Sequence, residues 1–282
     1  MDDTELSGSR YRSPPPPANV PKMLHVRSGA ATHVGHRRPV NEDAVFHSEQ
    51  LFFVADGMGG QAAGDVASSL LVRALRSLED EPITAASIRA AVSAANAEVL
   101  DYAAEHSVGR GMGTTLAGLA VLAGEGAPHL AVFNVGDSRV YAFHHNTLRQ
   151  VTVDHSEVAE LVAAGTITEG EARRHPARHV ITRAIGENPA PEVDLLVVPA
   201  QLGERWAMVT DGVCGEIEDE VICRVLAWND EAQAAADALV EAALEAGGRD
   251  NASAIVVDVV DLTLADFEGT TVPRSSQQGA AE

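Results

Sequence analysis

Residues 44–60 read AVFHSEQLFFVADGMGG: two short apolar runs, Ala44 to His47 and Leu51 to Ala55, divided by a short turn and closed by an aspartate among glycines. Both runs read as strands. A further strand, Ala30 to Val34, precedes them. Beyond the glycines the apolar period lengthens. Ala67, Leu71, Leu75 and Leu78 fall on one face of a helix over 62–79, and Ile88, Val92, Ala95, Val99 and Ala103 on one face of a helix over 85–105. Strands return as Thr115 to Leu122, Leu130 to Val135 and Arg139 to Phe143, separated by Gly, Pro and Asp turn signals. A polar helical stretch over 156–175 interrupts the strands, which resume as Val193 to Val198 and Arg205 to Val209. Helices over 219–228 and 231–246 follow, Gly247-Gly248 stops the second, and a last strand runs from Ala252 to Val260. Strands in blocks and helices in blocks predict an α+β fold with largely antiparallel sheets. Two sheets faced by helices would bury both kinds of apolar stripe.

The composition removes several function classes. Forty-one acidic against twenty basic residues give a net charge of −21, which repels phosphate backbones and argues against a nucleic-acid partner. Lys22 is the only lysine, so the remainder of the chain cannot supply the lysine of a nucleotide-binding phosphate loop, a Schiff base or a kinase. Cys214 and Cys223 are too few for a disulfide framework, and neither is followed by the arginine that a thiol-based phosphatase loop needs. No run of about eighteen apolar residues exists to cross a bilayer and no signal-peptide pattern opens the chain. A cytoplasmic protein without a membrane partner is expected.

Residues 1–22, with Pro14 to Pro17 in a row, read as a flexible leader, and residues 263–282 as a disordered tail. The stretch 23–262 between them has no long linker or repeat and is expected to be one domain.

The chemistry lies where apolar strands end in glycine turns: Asp56 in VADGMGG, Asp137 in VGDSR, Asp211 in VTDGV and Asp250 in GRDNAS. One such aspartate is ordinary turn chemistry. Several brought together repel one another unless protons or cations intervene, and oxygen-rich clusters suit hard Mg²⁺ or Mn²⁺.

Six short motifs occur in a fixed order: RPVNED at Arg38 to Asp43, DGMGG at Asp56 to Gly60, GTT at Gly113 to Thr115, GDSR at Gly136 to Arg139, DG at Asp211-Gly212, and DN at Asp250-Asn251. In order and spacing, from about residue 28 to 260, the chain resembles the metal-dependent protein phosphatases (PPM, or type 2C serine/threonine phosphatases) of the bacterial type. The resemblance implies a four-layer α/β/β/α sandwich with two central, mainly antiparallel sheets. It also implies hydrolysis of phosphoserine and phosphothreonine on proteins, opposite a serine/threonine kinase and as a monomer, by a water bridging two Mn²⁺ or Mg²⁺ ions. Asp56 would bridge the ions, with Glu42 and the Gly57 carbonyl completing one and Asp211 and Asp250 the other. Asp43 would support them, Asp137 with Asp211 would hold a third, weaker ion, and Arg38 would grip the substrate phosphate.

Met58 stands where many eukaryotic members carry the histidine proposed as general acid, and methionine cannot donate a proton. Metal-bound water or His155, more ordinarily a structural histidine, are the alternatives. The insertion from Ser156 to Gly186 resembles the family's flap, with His175 to His179 the part expected nearest the metals. Thr270 and Thr271 in the tail are candidate phosphorylation sites. A non-catalytic phosphoprotein-binding member, or a phosphoesterase acting on small metabolites, are the other functions the motifs allow.

Overall fold

The structure, a computed structural model, describes residues 22–59, 63–106, 111–124 and 127–264. Twelve strands and seven α-helices are formed there. Strands β1 (Lys22–His33), β12 (Ala252–Leu264), β11 (Arg205–Val209), β8 (Arg139–His144) and β9 (Thr147–Gln150) make one sheet in that spatial order. The second consists of β10 (Asp194–Pro199), β7 (His129–Val135), β6 (Leu116–Leu122), β3 (Leu51–Ala55) and β2 (Ala44–His47). A two-stranded ribbon joins β4 (Gly57–Met58) to β5 (Gly113–Thr114). Every strand pairing is antiparallel.

Burial explains why the strands read as continuous apolar runs. Alternate residues of β3 face opposite ways: Phe52 and Val54 join Leu119, Val132, Trp206, Met208, Ile255 and Val257 between the sheets. Leu51, Phe53 and Ala55 point outward against α1 (Ala63–Arg76) and α2 (Ala85–Glu105), through Ala67, Leu71, Leu75, Ile88, Val92 and Val99. The first sheet is covered likewise, with Ala207, Val209, Ala254 and Val256 packed on α6 (Asp219–Trp228) and α7 (Ala232–Ala246). Both faces of both sheets are thus covered, which removes the polar alternation of a half-exposed strand. The four-layer α/β/β/α architecture follows from these three apolar layers.

Several elements depart from the sequence expectation. β1 begins at Lys22, eight residues before the expected start, and pairs with β12 as far as Leu264. Leu24 and Val26 gain their cover from the inter-sheet core, a tertiary effect that a short window does not show. β9 was not expected, because its hairpin turn is His145-Asn146, both at positive φ (50° and 58°), without the glycine that usually marks such a turn. The first helix turns to a tighter 3₁₀ geometry over Ser77–Asp80. The helical stretch at 156–175 is two short pieces, α3 (Glu157–Ala163) and α4 (Glu169–Ala172), begun by the side-chain caps Ser156 and Thr168. Arg173 at the end of α4 reaches Glu218 at 2.9 Å and ties this insertion to the start of α6. Apart from Lys22 and residues 263–264, the leader expected over 1–22 and the tail with Thr270 and Thr271 lie outside the described residues. No described helix is long and apolar enough to cross a membrane.

Candidate metal and phosphate site

The loops at one end of the sandwich carry all the acids singled out above. Asp56 follows β3, Asp137 sits in the turn between β7 and β8, Asp211 opens the single helical turn α5 (Asp211–Cys214) after β11, and Asp250 precedes β12. Glu42 and Asp43 end the loop from β1 to β2. Both sheets therefore contribute, and the rigid strand ends hold the loops in place.

Polar side chains fasten the acid-bearing turns to one another. The amide of Asp56 donates to Thr115 Oγ1 at 3.0 Å, while its carbonyl accepts from Thr114 Oγ1 at 3.0 Å. Thr115 Oγ1 also meets Ser138 Oγ at 2.7 Å, beside Asp137, so the GTT motif couples two of the acid-bearing turns. Glu42 accepts at Oε1 from the Gly64 amide in the first turn of α1 (3.2 Å), and its own amide donates to Asn251 Oδ1 (2.8 Å). Asn251 Nδ2 donates to the carbonyls of Val34 and Val40, each at 2.9 Å, and so fastens the Arg38 loop to the start of β12. Glycine is required at position 57, since a Cβ there would lie 2.2 Å from the Gly64 carbonyl oxygen and 2.5 Å from that of Glu42.

The protein compensates only part of the charge in this cluster, through the ion pair of Arg38 with Asp250. Burial, then the charges of Asp211 and Asp43, raises the Asp56 carboxyl well above its ordinary value. Burial, followed by Asp211, pushes Asp137 up to about 8. Asp43 is pushed up to about 7 by burial, against the opposing hydrogen bonds of Ser253 and Thr210. Asp211 is raised by burial and then by Asp250. Arg38 Nη2 donates to Asp250 Oδ2 at 2.6 Å, and this bond is the main cause of its own raised pKa.

Among the described residues, no three acidic, histidine or cysteine side chains enclose a point as a ready cation cage. Asp43 Oδ1, Asp137 Oδ1 and Asp211 Oδ1 are nonetheless buried without a hydrogen-bond partner among the described residues. Buried acceptors left bare are costly and are normally satisfied. Hard oxygen donors with spare lone pairs and mutual repulsion fit divalent cations of the Mg²⁺ and Mn²⁺ kind.

A profile for protein phosphatase 2C matches residues 32–246. The chain belongs to that family. Serine/threonine protein phosphatase PstP of Mycobacterium tuberculosis is 38% identical over 241 residues, covering 84% of this chain. This chain spans about half (46%) of that relative's length. Serine/threonine phosphatase stp of Listeria welshimeri is 36% identical over 239 residues, 80% of this chain and 93% of the relative. The crystal structure of the PstP catalytic domain in complex with two manganese ions matches at TM-score 0.77 and 36% identity, over 85% of this chain and all of that one.

His155 is held at both ring nitrogens. The Gly136 amide donates to its Nδ1 at 2.9 Å, leaving the proton on Nε2, which faces Asp194 Oδ2 at 3.2 Å. The ring is buried and both nitrogens are occupied, so it holds the Asp137 turn. His179, in the region of the insertion singled out above, is close enough to Asp211 for its charge to favour the ionised acid. Sequence reading passed over Thr210 and Ser253, and gave Thr115, Ser138 and Asn251 no role beyond their places in the GTT, GDSR and DN motifs. The available signal was a polar residue beside an acid at the end of an apolar strand, where burial demands a partner.

Proposed function

We propose that this phosphatase 2C member hydrolyses phosphoserine and phosphothreonine esters on proteins, using Mn²⁺ or Mg²⁺. The observation that carries the reading is the group of four acids, Asp43, Asp56, Asp137 and Asp211, raised above their ordinary pKa, three of them with an unpartnered buried oxygen. In this reading Asp56, Glu42 and the Gly57 carbonyl hold one ion and Asp56, Asp211 and Asp250 the other. Asp137 with Asp211 holds a third, weaker one. When bound, the ions would supply positive charge and lower the pKa of water for attack on phosphorus.

The remaining work falls to the chain. Arg38, its side chain half exposed and already paired with one anionic oxygen at Asp250, binds and orients the phosphoryl group and offsets its charge as the bond to the leaving oxygen breaks. Asp43 supports the centre from the side. No side chain is needed as a covalent nucleophile: Cys214 is buried, and burial pushes its thiol well up. Met58 cannot donate a proton and His155 is occupied, so the leaving alkoxide takes its proton from water. The protein acts as a monomer opposite a serine/threonine kinase, in the cytoplasm, where free thiols such as Cys214 and Cys223 persist.

The deciding experiment is phosphate release from a phosphothreonine peptide with Mn²⁺, with chelator, and with Asp211→Asn. Release that requires both Mn²⁺ and Asp211 is expected. A folded protein that binds the phosphopeptide without turnover would replace the reading by a phosphoprotein-binding one, and turnover confined to small phosphate esters would replace the protein substrate.

A further inference from the structure

We propose that a relay of hydroxyl groups, Thr32 to Ser253 with Thr210 converging, sets the orientation of Asp43 and makes Ser253 and Thr210 positioning residues of the metal centre. This rests on the metal-centre reading above. Ser253 and Thr210 are fully buried, and Ser253 interrupts the apolar start of β12 between Ala252 and Ala254. A buried hydroxyl at such a place is costly unless bonded. Both hydroxyls are spent on one atom: Ser253 Oγ lies 2.6 Å and Thr210 Oγ1 2.9 Å from Asp43 Oδ2.

The proton directions follow from the neighbours. Ser253 N–H donates to Thr210 Oγ1 at 3.0 Å, which leaves the Thr210 proton for Asp43. The Asp43 amide donates to Asn41 Oδ1 at 3.2 Å, which orients that amide so that its Nδ2 donates to Thr32 Oγ1 at 2.8 Å. Thr32 Oγ1 then passes its own proton to Ser253 Oγ, 2.8 Å across the β1–β12 pairing, and Ser253 passes its proton to Asp43. Two hydroxyl donors thus end on Oδ2 and none on Oδ1, which is buried and unpartnered. The carboxyl plane is fixed, with Oδ1 the oxygen left for a cation or its water. Groups that orient a ligand without touching the metal typically change affinity about 10- to 100-fold when removed.

The test is calorimetric titration of the full-length metal-free protein with Mn²⁺ alone, with thermal melting in chelator as the folding control. Thr210→Val and Ser253→Ala are each expected to weaken Mn²⁺ binding about tenfold, and Ser253→Thr to restore it. Thr32→Val, at an exposed position, is expected to weaken binding about threefold, and the Thr32→Val/Ser253→Ala pair to bind no worse than Ser253→Ala alone, because Thr32 acts only through Ser253. Unchanged affinity in Thr32→Val and Thr210→Val, or losses at positions 32 and 253 that multiply independently, would overturn the relay. If Ser253→Ala does not fold, Thr32→Val and Thr210→Val decide alone. Wild-type protein that takes up no Mn²⁺ would instead overturn the metal-centre reading, and the relay with it.

Discussion

Asp137→Asn is expected to stabilise the metal-free protein, and increasingly so as pH rises. Asp137 is buried in the turn between β7 and β8, and burial together with the charge of Asp211 pushes its carboxyl from 3.8 up to about 8. In the unfolded chain the same group ionises near its ordinary value. Between the two values the folded protein keeps a proton that the unfolded chain has released. The stabilisation is therefore complete below the unfolded value and is lost as pH rises through the folded one. Each pH unit in that window corresponds to about 1.4 kcal/mol, so by about pH 8 Asp137 alone would cost on the order of 5 kcal/mol. Asp211, whose charge helps to raise Asp137, titrates together with it and relieves part of this, so asparagine, which has no charge to bury, is expected to recover about 2–3 kcal/mol. For a chain of this size that raises Tm by about 5–10 °C. The assay is calorimetric melting in chelator at about pH 5 and about pH 8, repeated with saturating Mn²⁺. The difference should be clearly smaller at the lower pH, only about one pH unit above the unfolded value, and should shrink or reverse with Mn²⁺, whose charge compensates the carboxylate. Equal melting at the higher pH, or the same difference at both, would refute the reasoning that uncompensated acid charge destabilises this end of the sandwich.

Two further outcomes are expected. Trp206 is buried between the sheets with its Nε1 unpartnered among the described residues, so Trp206→Phe removes a bare donor and should cost under about 1.5 kcal/mol, against about 3–5 kcal/mol for Trp206→Ala. Urea denaturation of the two variants checks this, and equal losses would show that the indole N–H is satisfied. His155→Ala should lower stability by loosening the Gly136 turn while leaving the dependence of rate on leaving-group pKa unchanged. A selective loss on poor leaving groups in a series of aryl phosphates would return His155 to the role of proton donor.

Much of the element order was legible in the sequence, without β9 and the β4–β5 ribbon. β2, β3, α2, β11 and α6 lie where periodicity and turn residues place them, because each is a local pattern repeated over several residues. Glu42, Asp43, Asp56, Asp137, Asp211 and Asp250 are visible as acids beside strand ends, a local feature too. Tertiary structure decided what a window of sequence does not contain. The first eight residues of β1 are a strand because β12, more than 200 positions away, pairs with them and the core covers Leu24 and Val26. Thr210, Ser253 and Asn251 look like ordinary polar residues until the fold places Thr210 and Ser253 against Asp43 and Asn251 against Glu42, across sequence separations of 167, 210 and 209. Nothing in the sequence around His155 shows that its two nitrogens meet the Gly136 amide and Asp194. A chain carries the chemical types of its groups in its letters, but which oxygen is saturated and which is left bare depends on distances that exist only once both sheets have closed on one another.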